Sequence, residues 1–167
     1  MRKQRKLILI ISLIAIIFLA YKFIVPSIFQ NNNTVSVYFI KGDKLQSVFR
    51  ELPKKSNPLY VAALELLKGP NNSESRDGFF SEIPKGTKIL GAKSSGNILE
   101  VNFSKELEGY GGGTSRVKAL VAEIVYTLTE ASKADKVRIL IEGKKEAVLG
   151  GEGYIIDRPL SKDDIMF

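Results

Sequence analysis

The chain has 167 residues, with 25 Lys and Arg against 18 Asp and Glu, and it contains neither histidine nor cysteine. The missing histidine removes the usual general base at neutral pH and the Ser-His-Asp arrangement. The missing cysteine removes thiol nucleophiles and disulfides and, together with the missing histidine, zinc sites of the usual kind. Five of the 25 basic residues precede Asn33, which leaves 20 basic and 18 acidic residues and a net charge of +2. That balance gives no indication of nucleic-acid binding.

The N-terminus has the pattern of a membrane signal. A basic segment, residues 1–6, precedes an apolar run over residues 7–25, and a polar linker follows over residues 26–33. A retained anchor needs roughly 17–25 residues, which the run meets. Basic residues before such a run stay in the cytoplasm. We therefore predict a single-pass anchor with residues 34–167 on the outer side of the cell membrane.

Two alternatives to a retained anchor remain open. A cleavable signal peptide would use Leu7–Ala20 as its apolar core, although Phe18 stands where a small residue should precede the cut. A buried core helix is disfavoured by the four cations immediately before the run. A lipid-modified N-terminus is excluded because there is no cysteine.

The first part of the exported region predicts a hairpin and a helix. Thr34–Ile40 and Leu45–Leu52 are rich in β-branched and aromatic residues, and Gly42-Asp43 between them is a turn signal. Asn57 and Pro58 suit a helix start, and Lys68-Gly69-Pro70 suits its end. We expect the polar segment that follows, Asn71–Asp77, to be a loop.

The second part repeats this order. Thr87–Lys93 and Ile98–Phe103 predict two strands, and Val137–Ile141 predicts a last strand before a glycine-rich tail. Between them lies a helix with apolar residues at helical spacing, which Thr114 or Ser115 can cap. The order ββα-ββα-β predicts an α+β fold, a mostly antiparallel sheet with two helices on one face. The residues expected to meet in its core are Val101, Val121, Ile124, Leu128 and Ile139.

Two motifs at the start of the second helix resemble functional signatures. Gly111–Gly113 before a helix could cradle an anion, but it lacks the lysine of a phosphate-binding loop, so we interpret it as a flexible loop and cap. Ser115 and Lys118 have the spacing of serine acyl enzymes without any companion motif.

The acidic residues do not form a recognisable catalytic or metal-binding pattern. No motif places Glu106 with Glu108, or Glu152 with Asp157, across a groove as a glycosidase requires. Asp163-Asp164 lacks the spacing of a calcium loop and is interpreted as a solvated end. We therefore expect no catalytic residue, no cofactor and no metal ligand.

An ordered set of segments resembles the GerMN domain of sporulation and germination proteins of the GerM type. The resemblance covers about residues 34–160, and Arg50 stands where the family tends to carry an arginine. The segments that carry it are VYFIKGDKLQSVFREL (Val37–Leu52), ALELLKGP (Ala63–Pro70), IPKGTKIL (Ile83–Leu90), LEVNFSKEL (Leu99–Leu107), Gly111–Gly113, IVYTLTEASKADKVRILIEGK (Ile124–Lys144), and Ile156-Asp157 with Pro159-Leu160. The chain differs from better-known members in having one copy of the domain and no lipobox cysteine. The resemblance implies a link with spore formation, germination and the cell envelope, and no catalytic constellation.

These observations favour a membrane-anchored, extracytoplasmic, non-catalytic binding or assembly module of the bacterial cell envelope. Its expected partners are the membrane, through the N-terminal helix, and another envelope protein or a second copy; peptidoglycan is possible and nucleic acid is not expected. The hairpin Thr34–Leu52 is the candidate edge for such binding. The alternatives are a peptidoglycan-acting hydrolase or its accessory factor and, less favoured, a solute-binding protein.

Overall fold

The computed structural model describes residues 33–109, 113–149 and 154–165. All of these except residue 33 belong to the compact unit Thr34–Phe167. The predicted basic segment, anchor and nearly all of the linker lie outside these residues. No helix among the described residues has the length and apolar character needed to cross a bilayer. The elements in chain order are β1 (Thr34–Lys41), β2 (Lys44–Glu51), α1 (Pro58–Lys68), α2 (Asn72–Arg76), β3 (Phe79–Phe80), β4 (Ile89–Ser95), β5 (Ile98–Phe103), α3 (Thr114–Ser132), β6 (Lys136–Ile141), β7 (Ala147–Leu149) and β8 (Tyr154–Ile156), with 3₁₀ turns at Lys105–Glu108 and Lys162–Asp164.

The predicted first hairpin is confirmed. β1 and β2 pair antiparallel from Thr34↔Glu51 to Lys41↔Lys44, and Gly42 in the turn has a φ of 64°, a conformation that glycine adopts without strain. The short β3 pairs with the end of β1, so this sheet has the order β2-β1-β3. β2 therefore lies at an edge of the sheet.

The predicted α+β class is confirmed, but its single sheet with two helices on one face is not what forms. The strands divide into β2-β1-β3, β4-β5-β6 and β7-β8. β5 and β6 are parallel because α3 connects them as a crossover, whereas a hairpin would have made them antiparallel. The predicted strand Thr87–Lys93 begins two residues later, at Ile89, and runs to Ser95.

Three local predictions are wrong. The polar segment Asn71–Asp77 contains helix α2 rather than a loop, because Asn71 and Glu74 form a reciprocal capping box. The N-cap of α3 is Gly113, without a capping side chain, so neither Thr114 nor Ser115 has that role. Val137–Ile141 is not the last strand, since β7 and β8 follow it and pair antiparallel.

Helix α1 begins and ends as predicted. The Asn57 side chain accepts hydrogen bonds from the N–H groups of Leu59 and Tyr60 at 2.9 and 3.4 Å. Gly69, with a φ of 77°, ends the helix after Lys68. These caps satisfy amides and carbonyls that the helix itself leaves unpaired.

The core is built around α3, which packs against β1, α1 and the second sheet. This central position explains why buried residues occur on most sides of the helix and not on a single stripe. The Thr127 hydroxyl accepts the backbone N–H of Tyr38 at 2.9 Å and so joins α3 to β1. The predicted core residues are confirmed as buried in one cluster: Val101, Val121, Ile124, Leu128 and Ile139.

Candidate binding surface

An apolar groove of about 360 Å³ opens between the N-terminal half of α1 and the strand β4. Its floor is formed by the buried residues Val101 and Leu128, and its two walls come from the helix and the strand. Its polar side-chain groups are the Asn57 amide and the Tyr60 hydroxyl, and none of its side chains is charged. The groove is lined by Asn57, Leu59, Tyr60, Ala63, Ile89, Leu90, Gly91, Ala92, Val101 and Leu128.

The helix wall results from the way α1 packs. Ala62, Ala63 and Leu66 are buried and hold the helix on the core. Tyr60 and Leu64, four residues apart, lie side by side on one flank of this helix and remain 64% and 41% exposed. Tyr60 lines the groove, and Leu64 extends the exposed apolar surface of the same helix beyond it.

The strand wall is a free sheet edge. Among the described residues β4 pairs with β5 alone, so one side of its backbone has no strand partner there for its N–H and C=O groups. The pairing register shifts between Ile89 and Gly91, which makes Leu90 an extra residue without a partner. Such a bulge redirects a side chain, and Leu90 is 51% exposed at the groove. Next to it, Ala92 lies opposite Val101 and on the same face of the sheet.

The edge predicted from the sequence, β2, has a different character. Phe49 is 69% exposed on it, but a charged network occupies the neighbouring position. The Arg50 guanidinium donates to both carboxylate oxygens of Glu74 at 2.6 and 2.7 Å and to Glu65 at 3.1 Å. The hydrogen bonds with Arg50 hold the pKa of Glu74 below its usual value. Arg50 therefore ties β2 to α1 and α2.

Glu82 and Glu123 are acidic side chains that the fold brings together. Glu123 is completely buried on α3; its carboxylate accepts the Glu82 N–H at 2.8 Å and the Ser81 hydroxyl at 2.6 Å. Burial raises the pKa of Glu123 to about 8, against these two hydrogen bonds. Glu82 pairs with Arg116 at 2.7 Å. Because both oxygens of Glu123 are engaged below the surface, this pair anchors the segment after β3 rather than facing a substrate.

A third polar cluster fastens the C-terminal segment. The Tyr38 hydroxyl donates to Glu130 at 2.6 Å, and Lys162 lies 3.2 Å from the same oxygen. The Lys162 ammonium also lies 5.6 and 5.2 Å from the ring centres of Tyr38 and Tyr126. Burial and the hydrogen bond to Glu130 raise the pKa of Tyr38. An open depression of about 720 Å³ beside this cluster has cations and carboxylates in equal number and selects no charge: Glu130, Lys133, Asp135, Lys136, Lys162 and Asp163.

The acidic residues considered from the sequence do not converge. Glu106 and Glu108 lie on one 3₁₀ turn, while Asp157 is exposed after β8. Glu152 lies outside the described residues. Asp164 is not merely a solvated end, because it caps a 3₁₀ turn and pairs with Arg158 at 2.8 Å; hydrogen bonds from Ser161 and Arg158 lower its pKa.

The motifs before and within α3 likewise form no site. Ser115 and Lys118 are both exposed near the start of α3. Gly111 and Gly112 lie outside the described residues, and Gly113 is the N-cap of the helix. Among the described residues, no group of histidine, cysteine or acidic side chains could hold a metal ion.

Residues 36–147, about two thirds of the chain, match the family Germane, described as sporulation and spore germination. The chain belongs to the Germane family. No curated protein matches the chain.

Three solved structures are similar to this Germane chain. The first GerMN domain of the sporulation protein GerM from Bacillus subtilis is 27% identical, with a TM-score of 0.63, over 78% of this chain and 98% of that one. The tandem GerMN domains of the same protein are 19% identical, with a TM-score of 0.60, over 77% of this chain. A putative lipoprotein from Clostridium perfringens is 23% identical, with a TM-score of 0.57, over 79% of this chain and 89% of that one. This chain spans 44% of the tandem structure.

The sequence alone did not predict the groove, because the groove is formed by two segments about thirty residues apart in the chain. One local signal pointed to its helix wall: Tyr60 stands on α1 off the stripe formed by the buried residues Ala62, Ala63 and Leu66. β4 gave no such signal, since its edge position depends on which strands it pairs with.

Proposed function

We propose that this chain is a membrane-anchored, extracytoplasmic binding module of the bacterial cell envelope, serving sporulation or germination by holding a protein partner. Family membership supports the sporulation link. The basic segment and apolar run at the N-terminus support the anchor. The observation that carries the binding role is the groove, in which an unpaired sheet edge and exposed apolar side chains lie side by side. Both features are typical of protein-binding surfaces.

The alternative function is hydrolysis of peptidoglycan. Cleavage of the glycan strands requires two carboxylates that face each other across an accessible groove, and a serine acyl mechanism requires a Ser-Lys pair in a cleft. The lining of the apolar groove contains no carboxylate, and the paired acids Glu82 and Glu123 are buried and engaged with Arg116 and Ser81. These contacts favour the binding role.

The anchor is tested by adding protease to intact protoplasts that produce the full chain. We expect the domain to be digested, because residues 34–167 are proposed to lie outside the membrane. A domain that stays protected contradicts the proposed topology. A mature N-terminus near Tyr21 or Ser27 instead supports the cleaved signal peptide.

The binding role is tested by two measurements on the same protein. Crosslinking in cells should capture another envelope protein on the full chain. Incubation with peptidoglycan should release no soluble muropeptides. Release that disappears when one acidic residue is changed to its amide would overturn the binding role in favour of hydrolysis.

A further inference from the structure

We propose that the groove between α1 and β4 binds an extended segment of a partner protein, which adds as a strand to β4 and alternates apolar and acidic side chains. The inference deepens the proposed function and depends on it, since it names the kind of partner segment that the binding module takes. Three features of the groove carry it: the open backbone edge, the apolar lining and the charge beside it.

The open edge of β4 calls for an extended partner. β4 has seven residues and, in the part of the chain that the structure describes, a single neighbouring strand, β5, so its outer backbone groups are available along Ile89–Ser95. An added strand satisfies these groups with main-chain hydrogen bonds and places alternate side chains on opposite faces. A helix lying in the groove would leave the same backbone groups unpaired.

The lining selects an apolar side chain on the inner face. Ala92 shares its face with the buried Val101, and its small side chain leaves space between the strand and Tyr60 of α1. The groove volume of about 360 Å³ has room for one or two aliphatic side chains. A charged group there would lose its hydration without gaining an ionic partner, because the polar side-chain groups of the lining, the Asn57 amide and the Tyr60 hydroxyl, carry no charge.

The charge beside the groove selects a carboxylate on the outer face. Lys93 follows Ala92, so it lies on the opposite face of β4, and the described residues give it no salt bridge. Its cross-strand neighbour Glu100 is engaged by Arg138 at 3.4 Å. A partner residue beside Lys93 therefore gains from a negative charge. On the added strand, the residue next to that carboxylate points into the groove, which gives the alternating pattern.

The same charges argue against a second copy of this chain as the occupant. Residues 88–95 contain Lys88 and Lys93 and no carboxylate, so pairing two β4 strands would bring no acid to either lysine. Lysine on an edge strand opposes such self-pairing, because the like charges of two β4 strands repel. An acidic strand from a different protein would pair with the open backbone groups of β4 and also place a carboxylate beside Lys93.

The experiment measures binding of two labelled peptides to the full chain in detergent, by fluorescence anisotropy. One peptide alternates valine and glutamate, and the other alternates valine and lysine. We expect the glutamate peptide to bind about tenfold more tightly, and Lys93→Glu to reverse this preference. Ala92→Leu should weaken binding of the glutamate peptide because the larger side chain fills the groove. Lys93 is exposed, so Lys93→Glu should leave the fold intact. It therefore still tests the inference if Ala92→Leu disturbs the fold.

Phe49→Glu on the other sheet edge is the matched control and should leave peptide binding unchanged. Equal affinities for the two peptides, no binding of either, or the same loss with Phe49→Glu would overturn the inference. Crosslinking in cells separates the two proposals. If the captured partner survives Ala92→Leu and Lys93→Glu but is lost with Phe49→Glu, the binding module stands and the groove does not. If the full chain captures no partner and releases muropeptides, the proposed function itself fails.

Discussion

Replacing Glu123 by glutamine should remove a large part of the pH dependence of stability. Glu123 is fully buried, and its folded pKa of about 8 lies well above the ordinary value of 4.5, chiefly because burial disfavours the charged form. The unfolded carboxyl loses its proton near pH 4.5, whereas the folded one keeps it until about pH 8. Between these values the folded state binds more protons, so the free energy of unfolding falls as pH rises.

The size of this effect follows from the pKa difference. One pKa unit corresponds to about 1.4 kcal/mol. Raising the pH from below 4.5 to above about 8 therefore lowers the free energy of unfolding by on the order of 4–5 kcal/mol. Small domains have a total stability of about 5–15 kcal/mol, so the loss is easily measured. Glutamine keeps an oxygen that can accept the Glu82 N–H and an amide that can donate to Ser81, and it does not titrate.

The assay is urea unfolding of the unit Thr34–Phe167, which contains the described core, at pH 5, 7 and 9. The parent and Glu123→Gln share all other titrating groups. The difference between their free energies of unfolding at each pH therefore reports the contribution of Glu123 alone. We expect the parent to lose stability relative to the variant as pH rises. Glu108→Gln, an exposed carboxylate, should follow the parent. Parallel profiles for the parent and Glu123→Gln would refute the assignment of a buried, proton-binding carboxyl.

Two further predictions concern packing and the charged network. Leu128→Ala should lower the free energy of unfolding by about 2–5 kcal/mol, because the side chain is fully buried, while Leu64→Ala on the surface should change it little; a loss below about 1 kcal/mol would contradict the packing of α3. Arg50→Lys should cost about 1–3 kcal/mol, because an ammonium cannot keep both hydrogen bonds to Glu74 and the one to Glu65. Urea unfolding measures both, and an unchanged midpoint for Arg50→Lys would show that the network is not stabilising.

Several elements were determined by local sequence. Asn57, Pro58 and Gly69 set the bounds of α1 because caps act within one turn of the chain. The first hairpin was equally local, since Gly42 permits the turn between two β-rich segments. The 3.6-residue period of Val117, Leu120, Val121, Ile124 and Leu128 predicted α3 and its core face.

The sheet arrangement was decided by tertiary structure. A strand pattern does not say which neighbour the strand takes, so the parallel pairing of β5 with β6 and the split into separate sheets could not be read from alternation. The burial of the Glu123 carboxyl could not be predicted from its neighbours in the sequence either. Its partners, Ser81 and the N–H of Glu82, are about forty residues away.

The groove was decided in the same way. Tyr60 and Leu90 each look like an isolated exposed apolar residue in the sequence, which is normal on a protein surface. They become a surface only when α1 packs beside β4 and the order β4-β5-β6 leaves that strand at an edge. The local sequence thus determined the helices, the hairpin and the apolar faces. Long-range packing determined which of those faces stayed exposed, because the packing of the core decides which strand edges are paired.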